Sequence, residues 1–173
     1  MEAGEATKLR ARVALGAGEA SVSTGLPVLD HLLGLLARHA GYDLQLEVAP
    51  GSPDAVASTA GRALGEALRP LLAGDGAAGY GSAVIPADEA LAHVGLEASG
   101  RPLFVTNVDL SDAHVAGLDR DLVSGFLHEL AAGAGLTLHV RLLHGEDARH
   151  ALDAIFKALG GALVRAGASA RKE

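Results

Sequence analysis

The feature that most restricts how this chain can fold is an echo within it. Ala40-Gly41-Tyr42-Asp43-Leu44 returns as Ala134-Gly135-Leu136-Thr137-Leu138, 94 positions later. Ala63-Leu64-Gly65-Glu66-Ala67-Leu68 returns as Ala158-Leu159-Gly160-Gly161-Ala162-Leu163, 95 positions later. An Ala-Leu-Gly echo alone would be compositional bias. Here each echo holds the same place in the same order of elements: helix, glycine, alternating strand, helix. Duplication explains that order better than bias does. Strands followed by helices, twice over, make an α+β pattern. The expectation is one domain over residues 1–173, with internal repeats at about 7–75 and 80–166.

The local signals fit that plan. Leu9, Ala11, Val13 and Leu15 alternate with Arg10, Arg12 and Ala14, the period of a half-buried strand. Gly16 to Gly18 is its turn. Thr24 is a candidate helix cap and Pro27 suits a first helical turn. Val28, Leu29, Leu32, Leu33, Leu35 and Leu36 form a wide apolar stripe, and Gly41 stops the helix. Tyr42, Leu44, Leu46 and Val48 form one face of the next strand. A second helix is expected over 56–72 and a glycine-rich connection over 74–81. Strands are expected around 82–86, 91–99 and 103–110, and a loop over 111–117. A third helix follows at about 119–132, a strand over Leu136 to Leu142, and a fourth helix at about 148–166. The tail, 167–173, reads as frayed.

Composition narrows the class. At 173 residues the chain can bury roughly 70% of its unfolded surface without staples. Hydrophobic residues make up 49% but aromatics only 3%, so the core must be aliphatic. A net charge of -7 argues against nucleic acid, which needs a basic surface. The absence of cysteine removes disulfides, thiolate metal sites and a cysteine nucleophile, and fits a reducing cytoplasm. Met1 to Arg10 is charged, without the apolar core of a secretory signal. No apolar run reaches the roughly 20 residues that span a bilayer, so no membrane partner is expected.

Several motifs carry a resemblance. They are Thr24-Gly25-Leu26-Pro27-Val28-Leu29-Asp30-His31-Leu32-Leu33, Ala37-Arg38-His39-Ala40-Gly41-Tyr42-Asp43-Leu44, Pro86-Ala87-Asp88-Glu89-Ala90-Leu91 and Ser99-Gly100-Arg101-Pro102. Leu136 to Gly145 and Phe156-Lys157-Ala158 complete the set. In this order, over about Thr7 to Ala166, the chain resembles imidazoleglycerol-phosphate dehydratase. The resemblance implies two duplicated halves, each a small mixed sheet packed on two helices. It implies a lyase of histidine biosynthesis that removes water from imidazole glycerol phosphate. It also implies two Mn²⁺ ions, which hold the substrate imidazole and stabilise developing charge. The ligands expected from the resemblance are one histidine per half and an H-H-x-x-E on the second helix of each half, a spacing that lies on one helix face.

At those positions this sequence departs from the pattern. In the first half H-H-x-x-E falls on Asp54, Ala55 and Ser58, in the register set by Gly61-Arg62-Ala63-Leu64-Gly65. In the second half it falls on Arg149, His150 and Asp153. His31 is kept, while its counterpart in the other half falls on Gly125, and the expected N-terminal acid falls on Ala6, beside Glu5. The metal candidates are therefore His31, His150 and Asp153, with Asp54 a further possible donor. Arg149 puts a fixed charge where a cation would sit. On the phosphate side the resemblance implies Arg101 and Lys157, a guanidinium fork and a point charge. A third arginine of the pattern falls on Gly79, and Ser169 is a weak match to a C-terminal serine. Glu89, beside Asp88, is the candidate catalytic acid. The plainer alternative is an ion ladder in which Asp153 pairs with Arg149 and Lys157, each four residues away.

Three functions compete. The chain is a dehydratase-like protein with weak or lost catalysis, assembling with itself or with a functional relative as a trimer or a 24-subunit shell. Or it dehydrates with a rearranged site using His31, Asp54, His150 and Asp153. Or it binds a small phosphorylated metabolite through Arg101 and Lys157 without turning it over.

Overall fold

The computed structural model describes residues 9–108 and 120–167, apart from the side chains of 120 and 121. The expected loop at 111–117, Ala6 and Glu5, Ser169 and the tail from 168 onward lie outside the described residues. The elements run β1 (Arg10–Leu15), β2 (Ala20–Ser23), α1 (Pro27–Ala40), β3 (Tyr42–Glu47) and α2 (Pro53–Ala73). Then come β4 (Tyr80–Ala87), β5 (Ala90–Glu97), β6 (Leu103–Thr106), α3 (Arg120–Ala134), β7 (Thr137–His144) and α4 (Ala148–Ala166).

Two mixed sheets result. The first has the order β1-β3-β2, with β1 antiparallel and β2 parallel to β3. The second has the order β4-β5-β7-β6, in which β5, β7 and β6 repeat that arrangement and β4 extends the edge. Helices α1 and α2 cover the first sheet, and α3 and α4 cover the second; the two helix layers meet as α1 on α4 and α2 on α3. Each half is thus a small mixed sheet on two helices. Strand β2 was not foreseen. Its residues, Ala-Ser-Val-Ser, are small and largely exposed, so they carry no apolar alternation, and their place comes from pairing with β3.

The caps show how local chemistry places the helices. Thr24 is not the N-cap of α1; that position is Leu26, which has no side-chain cap bond. Buried Thr24 instead donates its hydroxyl to Asp30 Oδ1 (2.5 Å), which also accepts the Thr24 N–H (3.1 Å). Asp30 sits in the first turn of α1, where a carboxylate favours the positive helix end. This clasp fixes the chain entering α1, one residue before His31. At the other end Gly41, at φ 65°, returns its N–H to the carbonyls of Ala37 and Arg38, a conformation glycine adopts without steric cost. Ser52 and Asp147 cap α2 and α4 through side-chain oxygens.

The core is aliphatic, as the composition requires. Each fully buried leucine contributes about 1.5–3 kcal/mol of burial, and Leu29, Leu32, Leu33, Leu36, Leu64 and Leu68 are all essentially inaccessible. Three of the five aromatics sit at the seams. Phe126 of α3 and Phe156 of α4 stack with ring centroids 5.8 Å apart. Tyr42 of β3 donates its hydroxyl to the Leu163 carbonyl of α4 (3.2 Å), and its burial raises the phenol pKa. The echoed glycines make the same contact twice. A Cβ on Gly65 would lie 2.5 Å from the Leu130 carbonyl oxygen, and one on Gly160 2.5 Å from the Leu36 carbonyl oxygen. Leu36 and Leu130 stand in the same relation, 94 positions apart. Only residues without a Cβ let the paired helices come this close.

Candidate functional site

The first turns of α1 and α4 and the β4–β5 turn enclose an open cavity of about 460 Å³. Val28, Leu32 and Leu152 give it apolar walls; His31, Asp88, Arg149, His150 and Asp153 give it polar ones. The fold therefore brings the surviving ligand candidates His31, His150 and Asp153 to one place, with Asp88 beside them.

His31 and Asp153 face each other across the α1–α4 seam, with Nε2 3.2 Å from Oδ1. This corrects the expected ion ladder. Among the described residues Asp153 pairs with neither Arg149 nor Lys157, because its carboxylate turns across the seam rather than along its own helix. Arg149 reaches back to Asp147 Oδ1 instead, at 3.9 Å.

His150 is held between two carboxylates. Its Nδ1 lies 2.6 Å from Glu89 Oε2 and its Nε2 3.4 Å from Asp88 Oδ2. The other Glu89 oxygen accepts the backbone N–H groups of Glu146 (3.2 Å) and Asp147 (2.8 Å), at the start of α4. Donors aimed at a carboxylate favour its charged form. The Glu89 pKa is accordingly lowered to about 2, chiefly by the Asp147 N–H and next by His150. The same contact raises the His150 pKa, the Glu89 hydrogen bond being the largest cause. Asp88 is the only non-glycine with positive φ (51°) among the described residues, in a region where Asp is better tolerated than most residues.

The α2–α3 seam carries none of this. Gly125 and Ser58 occupy the places that His31 and Asp153 hold at α1–α4, and a Cβ on Gly125 would lie 3.7 Å from Ser58 Oγ. Asp54 is exposed in the first turn of α2. Nearby, Arg62 pairs with Glu66 (3.2 Å) and Glu129 (3.6 Å). Among the described residues no group of three or more His, Cys, Asp or Glu side chains is arranged to hold a metal ion. The residues present do not fit a two-ion centre within one chain.

Neither phosphate candidate is among the residues that line the cavity. Lys157, half-buried, lies one turn beyond Asp153 on α4 and makes no ion pair among the described residues. Arg62 holds the corresponding place on α2, with acids at Glu66 and Glu129; the counterparts of those acids beside Lys157 are Gly161 and Leu35. Arg101 is exposed after Gly100 (φ 72°) in the β5–β6 turn. Ser99 and Thr137 hold that turn through their hydroxyls, 2.7 Å apart, and both bond the Arg101 backbone. That turn follows the Glu97 end of β5, whereas Glu89 precedes the Ala90 end. At about 3.3 Å per residue the two ends are roughly 23 Å apart.

Sequence reasoning missed Asp88 as a wall of the cavity and the grip of Glu89 on His150. The Asp-Glu pair was visible as a motif, but its partner lies 61 residues away, beyond the reach of periodicity or spacing.

Comparison with known proteins agrees with this geometry. The sequence profile of the imidazoleglycerol-phosphate dehydratase family matches residues 24–163. The chain is 41% identical over 152 residues to imidazoleglycerol-phosphate dehydratase of Pelobacter propionicus, covering 86% of this chain and 78% of that one. It is 39% identical over 167 residues to the Clostridium botulinum (strain Kyoto) protein of the same name, covering 92% and 84%. Among solved structures it resembles imidazoleglycerol-phosphate dehydratase from Staphylococcus aureus, with a TM-score of 0.84, 32% identity and 94% of each chain covered. It also resembles the Pyrococcus furiosus structure in complex with (S)-C348, with a TM-score of 0.83, 30% identity and 98% and 94% covered.

Proposed function

The chain belongs to the imidazoleglycerol-phosphate dehydratase family, and from that premise we propose a dehydratase-like protein of histidine biosynthesis whose own Mn²⁺-dependent removal of water from imidazole glycerol phosphate is weak or lost. The observation that carries this reading is the inequality of the two helix seams. The α1–α4 seam keeps a histidine and a carboxylate in contact; the α2–α3 seam has Gly125 and Ser58 in their place. Losing an outer partner of a metal ligand costs about 10–100-fold in affinity or activity. Losing ligands themselves, at 55, 58, 125 and 149, costs more. Arg149 adds a fixed positive charge beside His150, which opposes a cation there.

Titration calorimetry with Mn²⁺ tests this reading. The unaltered chain should show no saturable binding of two ions per subunit. Adding Ala55→His, Ser58→Glu and Gly125→His together should create binding, since the Gly125 Cβ position has room. Saturable binding of two ions by the unaltered chain would overturn the proposal.

A second reading is favoured by one observation: Lys157 has no ion-pair partner among the described residues, whereas Arg62 at the corresponding place has two. A half-buried, unneutralised ammonium suits an anion, such as the phosphate of a small metabolite. Arg101, beyond the Glu97 end of β5, is read as reaching such a ligand from a second copy of the chain. A homo-oligomer, a trimer or a larger shell assembled without metal, follows from this reading. Arg101→Ala with Lys157→Ala should abolish binding of glycerol phosphate, and unchanged binding would defeat the idea.

A further inference from the structure

The geometry assigns Glu89 as a positioning residue, which fixes the proton of His150 on Nδ1. The assignment holds whether or not the chain turns over substrate, because it concerns how one side chain is presented.

Three observations converge. The first is the bifunctional grip of Glu89. One carboxylate oxygen is occupied by the Glu146 and Asp147 N–H groups, so the side chain is anchored to the start of α4 and cannot rotate freely. The second is the contact of the other oxygen with His150 Nδ1 at 2.6 Å. An ionised carboxylate has no proton to give and only accepts, so Nδ1 must carry the hydrogen of that bond. In a neutral ring this leaves Nε2 as the acceptor. The third is the turn that aims the pair. Asp88 is held at φ 51°, and this two-residue turn between β4 and β5 directs Glu89 to α4; Asp88 Oδ2, an acceptor as well, lies 3.4 Å from His150 Nε2 and competes for the ring proton from the weaker side, against the 2.6 Å contact with Glu89. A sparsely populated backbone conformation persists only where its surroundings hold it, and here it sets the nearer carboxylate, Glu89, against Nδ1. Carboxylates that orient a histidine through its second nitrogen are a recurrent way of fixing tautomer and ring orientation.

Glu89→Gln separates this role from simple support. The amide carbonyl can still accept the Glu146 and Asp147 N–H groups, so the anchor to α4 survives. The amide nitrogen facing His150 has only hydrogens to offer. Nδ1 must then become the acceptor, and the ring proton moves to Nε2. The experiment is two-bond ¹H–¹⁵N correlation NMR of the histidine rings in the full chain, at a pH where they are neutral. His39 serves as an internal control. Its Nδ1 lies 3.0 Å from the Leu35 carbonyl, so it carries hydrogen on Nδ1 in both proteins.

The expected result is an Nδ1–H ring at His150 in the unaltered chain and an Nε2–H ring in Glu89→Gln, a swing of at least about tenfold in tautomer ratio, the scale of one hydrogen bond to a charged group. His39 should not change. An Nε2–H tautomer in the unaltered chain would overturn the assignment without any variant. A His150 ratio unchanged in a folded Glu89→Gln protein would overturn it as well.

Discussion

Gly160→Ala is a single methyl with a sign that the helix seam decides. Replacing glycine by alanine inside a helix ordinarily stabilises by about 0.5–1 kcal/mol, because glycine loses more backbone freedom on folding. At Gly160 the added Cβ would lie 2.5 Å from the Leu36 carbonyl oxygen and 3.1 Å from the Ala40 nitrogen, both backbone atoms of α1. No rotamer change relieves a backbone clash, so α1 and α4 must separate. Overpacking of this kind costs about 1–3 kcal/mol. A 2.5 Å approach to backbone lies in the upper part of that range, about 2–3 kcal/mol, so the net is a loss of about 1–2.5 kcal/mol, or roughly 2–10 °C in Tm for a domain of this size. Gly34 of α1 is the control, since a Cβ there meets nothing within 4 Å. Gly34→Ala should raise Tm by about 1–4 °C. The assay is thermal unfolding followed by far-ultraviolet circular dichroism, all three proteins side by side at one concentration. A Gly160→Ala protein as stable as the unaltered chain would refute the close approach of α1 and α4.

Other expectations follow from the same contacts. Tyr42→Phe should cost only about 0.5–1.5 kcal/mol by urea unfolding, because the Leu163 carbonyl keeps the Gly167 N–H as a partner. Glu89, about 2 in the folded chain against an ordinary 4.5, adds stability that is complete above about 4.5 and lost as pH falls towards 2. Glu89→Gln should therefore flatten that part of the acid limb. The His150 pKa is raised above its ordinary 6.5, so its contribution is complete below 6.5 and disappears as pH rises through the folded value. His150→Asn should remove that slope from stability measured between neutral and alkaline pH. Arg62→Ala, whose guanidinium is half exposed, should cost less than about 1 kcal/mol, with the loss shrinking in high salt.

What the sequence disclosed follows from what is local. Pro27 and Gly41 mark the ends of α1, and the alternation of Tyr42, Leu44 and Leu46 marks β3, because these signals lie within one element. The repeat disclosed that Gly65 and Gly160 correspond. The reason both are glycine, a carbonyl of the partner helix where a Cβ would sit, needs the packed helices. Thr24 read as a cap because its type suits one; its hydroxyl went to Asp30 because burial demanded a partner. The site divides in the same way. His31, His150 and Asp153 were found as positions of a motif. That Asp153 turns to His31, rather than to Arg149 or Lys157 on its own helix, depends on contacts made across the α1–α4 seam. The embrace of His150 by Asp88 and Glu89 likewise joins a strand turn to a helix start 61 residues on. The distance of Arg101 from the cavity depends on the length of β5, which no motif encodes.

The most direct test of the central claim is turnover itself: purified, folded protein with imidazole glycerol phosphate, with and without added Mn²⁺, beside an active family member at equal concentration. The account predicts no Mn²⁺-dependent formation of imidazole acetol phosphate, or a rate lower by more than about 100-fold, the upper scale of losing one outer partner alone. Mn²⁺-dependent turnover close to that of the active relative would contradict it, and would mean that the unequal seams still complete a working site.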